Sequence, residues 1–186
     1  MIAWPSVTQI IRHFGLMVDY EALSNLAAMR RGRLVTAGCH LLAADKELGE
    51  DWEARHPECH AYLDAYRRFL RGHNFQLIEA EHEYRNEALR FIAHPDQIGI
   101  LDGEGPIDLE LKSGGMPRWC QLQTAGQVLA AGMPAMKRFA LHLKPDASFT
   151  LIQHEDFRDL DRFRSMIDTW WTWQDFRPRM DEGAIP

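Results

Sequence analysis

The chain has 186 residues and a formal charge of −6 at pH 7, and 46% of its residues are hydrophobic. This length and composition predict one compact domain over residues 1–186 and exclude an intrinsically disordered chain. The negative charge excludes a uniformly basic body that grips nucleic acid through phosphate neutralisation, but it allows a local basic groove and suits a carboxylate-rich site.

No apolar run approaches the length of a membrane span, and the first seven residues do not form a basic region followed by an apolar stretch. We therefore expect a cytoplasmic protein with no membrane partner. The three cysteines, Cys39, Cys59 and Cys120, are far apart in the sequence. Their spacing predicts reduced thiols rather than disulfides or a zinc site.

The N-terminal third is predicted to be helical. Ser6 stands three residues before Gln9, which is the spacing of a capping box, and the helix that follows ends at Gly15. A longer helix is predicted from about Tyr20 to Ala44, and a third from Pro57 to Leu70.

The hydrophobic period then changes to that of strands. The sequence predicts an extended segment over Phe75 to Tyr84, a second strand from Phe91 to Ile100 and a third from Ile107 to Lys112. The connection between the first two strands is short, so we expect them to be antiparallel neighbours.

The remainder predicts a helix from Arg118 to Ala131, a hairpin over Lys137 to His154 and a closing helix from Asp156 to Trp173. Together these elements indicate an α+β fold: a mixed central sheet of about five strands flanked by helices, with an N-terminal helical part.

The third strand carries the most informative polar pattern. Asp108, Glu110 and Lys112 alternate with three apolar residues, so they share one face, and the turn before the strand brings it next to a segment with Asp96. Such a group offers the hard oxygen ligands that Mg²⁺ or Mn²⁺ prefers, with a cation beside them. Taken alone, the triplet is as typical of a solvated strand face with a Glu–Lys ion pair.

Five segments in order change that balance: Ser6–Ile11, Arg31–Val35, Pro95–Asp96, Glu110–Lys112 and Trp119–Gln127. In this arrangement the chain resembles the PD-(D/E)XK nuclease superfamily, in particular its RecB-type and phage lambda-exonuclease-like branch, over about residues 6 to 172. The resemblance implies a restriction-endonuclease-like core.

By this resemblance, Asp96 and Glu110 would ligate the metal, with the backbone carbonyl of Leu111 as a possible third ligand. Lys112 would serve the attacking water. Glu81 lies where these proteins carry an acidic residue upstream of the Asp strand, and it would complete the metal shell or bind a second ion.

The same resemblance gives Gln123 a role in contacting the substrate or orienting Lys112; the alternative is an exposed glutamine on the helix. Arg31 and Arg33 would bind substrate by contacting phosphates as part of a channel wall, or would simply form a solvated helix face.

Two positions depart from the family pattern. The histidine that often follows the Arg-Gly-x-x-Val segment is Thr36 here, and His40, one helical turn further on, would substitute as a metal ligand or remain a plain helix histidine. His94 stands where Gly-Thr is usual in the family, so it would contact phosphate or pack on the sheet edge.

The function implied is an Mg²⁺-dependent (or Mn²⁺-dependent) DNA nuclease, specifically a phage or prophage exonuclease that acts on DNA ends in recombination. A homo-oligomer and a single-strand annealing protein as partner follow from the same branch. Two alternatives stay open: a non-processive endonuclease or flap nuclease with the same site, and a degenerate fold that only binds DNA or protein. Three scattered cysteines do not suit an iron–sulfur cluster.

Overall fold

The computed structural model describes residues 3–17 and 26–176. The first helix, α1, spans Val7–His13 and begins with the predicted capping box. The backbone N–H of Gln9 donates to the Ser6 hydroxyl, and the backbone N–H of Ser6 donates to the Gln9 side chain. These bonds satisfy two of the donors that a helix start leaves unpaired.

The helical part continues with α2 (Leu26–Ala43), α3 (Glu50–Arg55), a 3₁₀ turn (Pro57–Cys59) and α4 (His60–Gly72). The first part of the helix predicted from Tyr20 lies outside the described residues. The helix predicted from Pro57 begins instead as a tighter 3₁₀ turn, as often occurs next to an α-helix. Within the described ranges, none of the helices has the length and apolar character that crossing a membrane requires.

In the described residues after α4 there are seven strands and two helices; one helix lies between the fifth and sixth strands, and the other follows the seventh. The strands are β1 (Phe75–Ala80), β2 (Tyr84–Asn86), β3 (Phe91–Ala93), β4 (Gln97–Leu101), β5 (Glu104–Lys112), β6 (Lys137–Leu143) and β7 (Phe149–Gln153), and the helices are α5 (Cys120–Ala130) and α6 (Arg158–Phe176).

The central sheet has five strands in the order β1-β4-β5-β6-β7. Strands β5 and β6 are parallel and the other neighbours are antiparallel, so the sheet is mixed. This confirms the predicted α+β fold with a five-stranded mixed sheet flanked by helices, consistent with a restriction-endonuclease-like core. The expected antiparallel pairing of the first two long strands is also found, between β1 and β4.

The single strand predicted over Phe91 to Ile100 is wrong. The strand is interrupted at 94–96: β3 pairs with β2 in a separate small sheet, and β4 joins the central sheet. Pro95 has no N–H to give to a strand ladder, which explains the break. The extended segment predicted before it also ends early, at Ala80, because Glu81 has a left-handed backbone (φ 51°).

Helices cover the sheet on both faces. Helices α2 and α4 pack on the face that carries Ile107, Leu109 and Leu111, and α1, α5 and α6 form a second core on the other side. At Gly126 of α5, an added Cβ would lie 2.7 Å from the Phe163 ring, which shows how closely α5 and α6 approach. Strand β5 therefore lies between an apolar core and helix α5.

Candidate active site

The interruption between β3 and β4 places Asp96 beside the end of β5. The last register pair between the two strands is Gln97 with Leu109. Two residues further along β5, the backbone N–H of Leu111 donates to Asp96 Oδ2 at 2.7 Å. The Asp96 carboxylate thus accepts the hydrogen bond that a backbone carbonyl of β4 would accept if the pairing continued. The N–H and C=O of a strand residue point to the same edge, so the Leu111 carbonyl faces this edge as well.

Glu110 is held by three side-chain donors. It is 3% exposed, and helix α5 supplies two amides: Gln123 Nε2 donates to Oε1 at 2.8 Å and Gln127 Nε2 to Oε2 at 2.7 Å. Lys112 Nζ also donates to Oε1 at 2.7 Å, and it reaches Gln123 Oε1 at 3.0 Å. Both oxygens of Glu110 are thereby fixed, and Gln123 lies between Glu110 and Lys112 rather than on an exposed helix face.

Gln127 was missed in the sequence. Its i,i+4 spacing from Gln123 places both amides on one helix face, one turn apart, and this spacing was the available signal. The residue is 2% exposed, and its Oε1 has no hydrogen-bond partner among the described residues.

The two carboxylates raise the negative charge of the site. Burial, followed by repulsion from Glu110, raises the pKa of Asp96 well above its usual range, while Lys112 and the Leu111 amide oppose the rise. Burial alone would lower the pKa of Lys112, but attraction to Glu110, and then to Cys120 and Asp96, outweighs it and raises the pKa above the usual value. The Lys112 ammonium thus faces two neighbouring carboxyl groups, an arrangement in which a further cation would relieve the repulsion.

These side chains form part of a cleft of about 620 Å³. Helix α2 contributes one wall and the segment after β5 another. The cleft is lined by Ala28, Met29, Gly32, Arg33, Thr36, Glu81, Asp96, Glu110, Leu111, Lys112, Ser113, Gly114, Gly115, Pro117 and Trp119.

Glu81 and His40 lie beside Asp96. The Glu81 N–H donates to the backbone carbonyls of Pro95 (3.1 Å) and Asp96 (3.3 Å), and its side chain lines the cleft. His40 Nδ1 is 4.0 Å from Glu81 Oε1, and His40 Nε2 is buried with no partner in the described part of the chain. Burial lowers the pKa of His40 despite the opposing effects of Glu81 and the Asp96 backbone, so the imidazole is held in the neutral form that binds metals.

The other residues predicted for the site are dispersed. Arg33 and Thr36 line the cleft, whereas Arg31 does not: its guanidinium lies over the Tyr62 ring, 5.3 Å from the centroid. His94 is exposed and does not line the cleft, and its Nε2 is 3.2 Å from Glu83 Oε2.

Asp108 shares the face of Glu110, as its position on β5 predicts, but it does not line the cleft. It is fully buried beside Arg138 of β6, and neither carboxylate oxygen has a hydrogen-bond partner among the described residues. Burial, followed by repulsion from Glu110 and Asp96, raises its pKa well above the usual range. Asp108 therefore lies near Glu110 and Asp96, but it is buried and does not line the cleft.

The donor set suits Mg²⁺ better than zinc. In the residues that the structure describes, no group of three or more His, Cys, Asp or Glu side chains is arranged to hold a metal ion. Mg²⁺ does not need such a cage, because it keeps several waters and binds through one or two carboxylates plus substrate phosphates. Asp96, Glu110 and the Leu111 carbonyl would offer oxygen ligands of that kind, whereas structural zinc sites use mainly cysteine sulfur and histidine nitrogen.

Comparisons with known proteins give a distant likeness to solved structures. No family model matches the sequence, and no curated protein does. Among solved structures, a crystal structure of LHK-Exo in complex with dAMP overlaps 92% of this chain and 88% of that chain, with 12% sequence identity and a TM-score of 0.49. An overlap this weak assigns neither a function nor a residue role to this chain.

Proposed function

We propose that this chain is a metal-dependent DNA nuclease that hydrolyses phosphodiester bonds. The observation that carries the proposal is the convergence of Asp96, Glu110 and Lys112 in one cleft, where hydrogen bonds from Leu111 and Gln123 hold them. Two acids and an ammonium in one open cleft are the parts that phosphoryl transfer requires: ligands for a divalent cation and a donor for the charge that develops on phosphate.

In this proposal, Asp96, Glu110 and the Leu111 carbonyl would hold Mg²⁺ or Mn²⁺. When bound, the ion supplies a water of lowered pKa and neutralises charge on the phosphate. Glu81 lines the same cleft and its carboxylate lies 4.0 Å from His40, so the two residues would support the same ion through a bridging water or a second position.

The residues around this ion would act on the substrate. Lys112 donates to a phosphate oxygen or to the attacking water, and Gln123 holds the Lys112 ammonium in place. Arg33, exposed on the α2 wall, binds a neighbouring phosphate.

We further propose that the substrate is a DNA end and that the protein is a phage or prophage exonuclease of recombination or repair. The ordered sequence segments support this part of the proposal. A homo-oligomer and a single-strand annealing protein as partner belong to the same hypothesis.

The test is a time course on end-labelled linear duplex DNA, with closed circular DNA in a parallel reaction, in Mg²⁺, in Mn²⁺ and in EDTA. We expect mononucleotides or short products from the linear DNA with either metal, none in EDTA and an intact circle. Nicked circles without loss of ends would identify an endonuclease with the same site. Absence of cleavage in both metals, with DNA binding retained, would identify a binding module.

A further inference from the structure

Both walls of the cleft carry apolar side chains, whereas its floor is charged. Ala28 and Met29 of α2 line one side, and Pro117 and Trp119, in the segment between β5 and α5, line another. The proposed chemistry uses the carboxylates and the lysine, and it gives these apolar side chains no role. An apolar surface of this kind next to a phosphate-binding floor matches a nucleotide, whose base is flat and apolar on its faces.

Trp119 is held rigidly at this position. It is the residue immediately before α5 and is half-buried against the core formed by α1, α5 and α6. Its ring also receives the Lys112 ammonium, with Nζ 5.1 Å from the ring centroid. The indole therefore lies beside the ammonium group that would contact the phosphate in the proposed mechanism.

The loop between Lys112 and Trp119 leaves room for a ligand. Gly114 and Gly115 line the cleft, and a Cβ added at either glycine would meet nothing within 4 Å. His142 Nε2 lies 2.6 Å from the Gly114 carbonyl and holds the loop to β6, so this opening is a fixed feature of the cleft.

We propose that Trp119 and the other apolar residues of the cleft walls form a stacking slot for one unpaired nucleobase next to the scissile phosphate. This rests on the proposed nuclease function and adds a substrate requirement to it: the base must be out of the duplex stack before its strand is cut. Stacking on an indole tolerates any base, because every base has an aromatic face, so the slot selects an unpaired nucleotide rather than a sequence.

The test uses a single-stranded oligodeoxythymidine in which one base is replaced by an abasic residue at successive positions. For the wild type we expect one position, next to the cut, at which loss of the base lowers kcat/KM about tenfold or more, as for removal of one base–aromatic stack. In Trp119→Leu that penalty disappears, and in Trp119→Phe it is partly retained. The melting temperature of each variant shows whether it is folded.

A binding measurement in EDTA makes the test independent of cleavage. The unmodified oligonucleotide should quench part of the tryptophan fluorescence; Trp119→Phe should lose that part, and the matched control Trp173→Phe, on α6, should keep it. An abasic oligonucleotide should quench less.

Equal losses of cleavage on intact and abasic strands in Trp119→Leu would overturn the slot and leave Trp119 as a support for Lys112. Unchanged quenching in Trp119→Phe would overturn it as well. Wild-type protein that cleaves nothing but shows the Trp119-dependent quenching would instead refute the nuclease function and keep the slot.

Discussion

Replacing Gln127 with leucine removes one of the two amide donors on Glu110 while leaving a side chain of similar size in the buried position. The lost bond, 2.7 Å from Gln127 Nε2 to a buried carboxylate, belongs to the class worth about 1.5–3 kcal/mol, because one partner is charged. The substitution also removes the unpaired Gln127 Oε1 from the interior, which offsets part of that cost. Because Glu110 Oε2 is then left buried without this donor, we expect the free energy of unfolding to fall by about 1–3 kcal/mol.

Activity should fall as well, in a variant that remains folded. With Oε2 released, Glu110 loses the orientation in which it faces Asp96 and the cleft. Supporting bonds of this kind are worth about 10- to 100-fold in metal affinity or activity. The assay is the initial rate of DNA cleavage over a Mg²⁺ titration, with Gln121→Leu, on the same helix but outside the Glu110 network, as control. An unchanged Mg²⁺ requirement in Gln127→Leu, or the same shift in Gln121→Leu, would refute this reasoning.

Three further outcomes are expected. Asp96→Asn should abolish cleavage yet melt at or above the wild-type temperature in EDTA. The substitution ends the repulsion from Glu110, while the amide oxygen still accepts the hydrogen bond from the Leu111 N–H. A lower melting temperature would contradict this. Gly126→Ala should destabilise by about 1–3 kcal/mol through overpacking, whereas Gly72→Ala, in open space, should not; equal denaturation midpoints would count against the close helix packing. Burial and the nearby Arg138 lower the pKa of His154 to about 4, below the unfolded value of 6.5. The free energy of unfolding should therefore fall by about 1–2 kcal/mol, after allowance for solvent screening, as the pH drops from 6.5 to 4. In acid unfolding curves, His154→Gln should flatten that pH dependence.

The sequence predicted the elements of the sheet well because their apolar residues alternate strongly. The face of β5 that carries Ile107, Leu109 and Leu111 is buried as its pattern indicates, and the capping box at Ser6 forms. The prediction failed where a local backbone feature interrupts a pattern. Pro95 ends one strand, and the left-handed backbone at Glu81 ends another, although the apolar pattern runs on past both.

The site could be predicted only as a set of residue types. Asp96 and Glu110 are far apart in sequence, and the bond from Leu111 that joins Asp96 to β5 depends on register rather than on composition. The alternation of β5 also placed Asp108 on the same face as Glu110. Asp108 is nevertheless covered by the structure packed on that face, and the sequence pattern does not show which part of the face stays open to the cleft. The role of Gln127 depends on the packing of α5 against β5, which a single sequence does not report.

The most direct measurement is single-turnover cleavage of end-labelled DNA by Lys112→Ala, with DNA binding measured on the same preparation. Lys112 contacts Glu110 and Gln123, and its removal leaves both carboxylates in place. We predict wild-type cleavage that requires Mg²⁺ or Mn²⁺, and a folded Lys112→Ala variant that binds DNA but does not cut it. Cleavage by Lys112→Ala at the wild-type rate would contradict the assignment of this cleft as the active site.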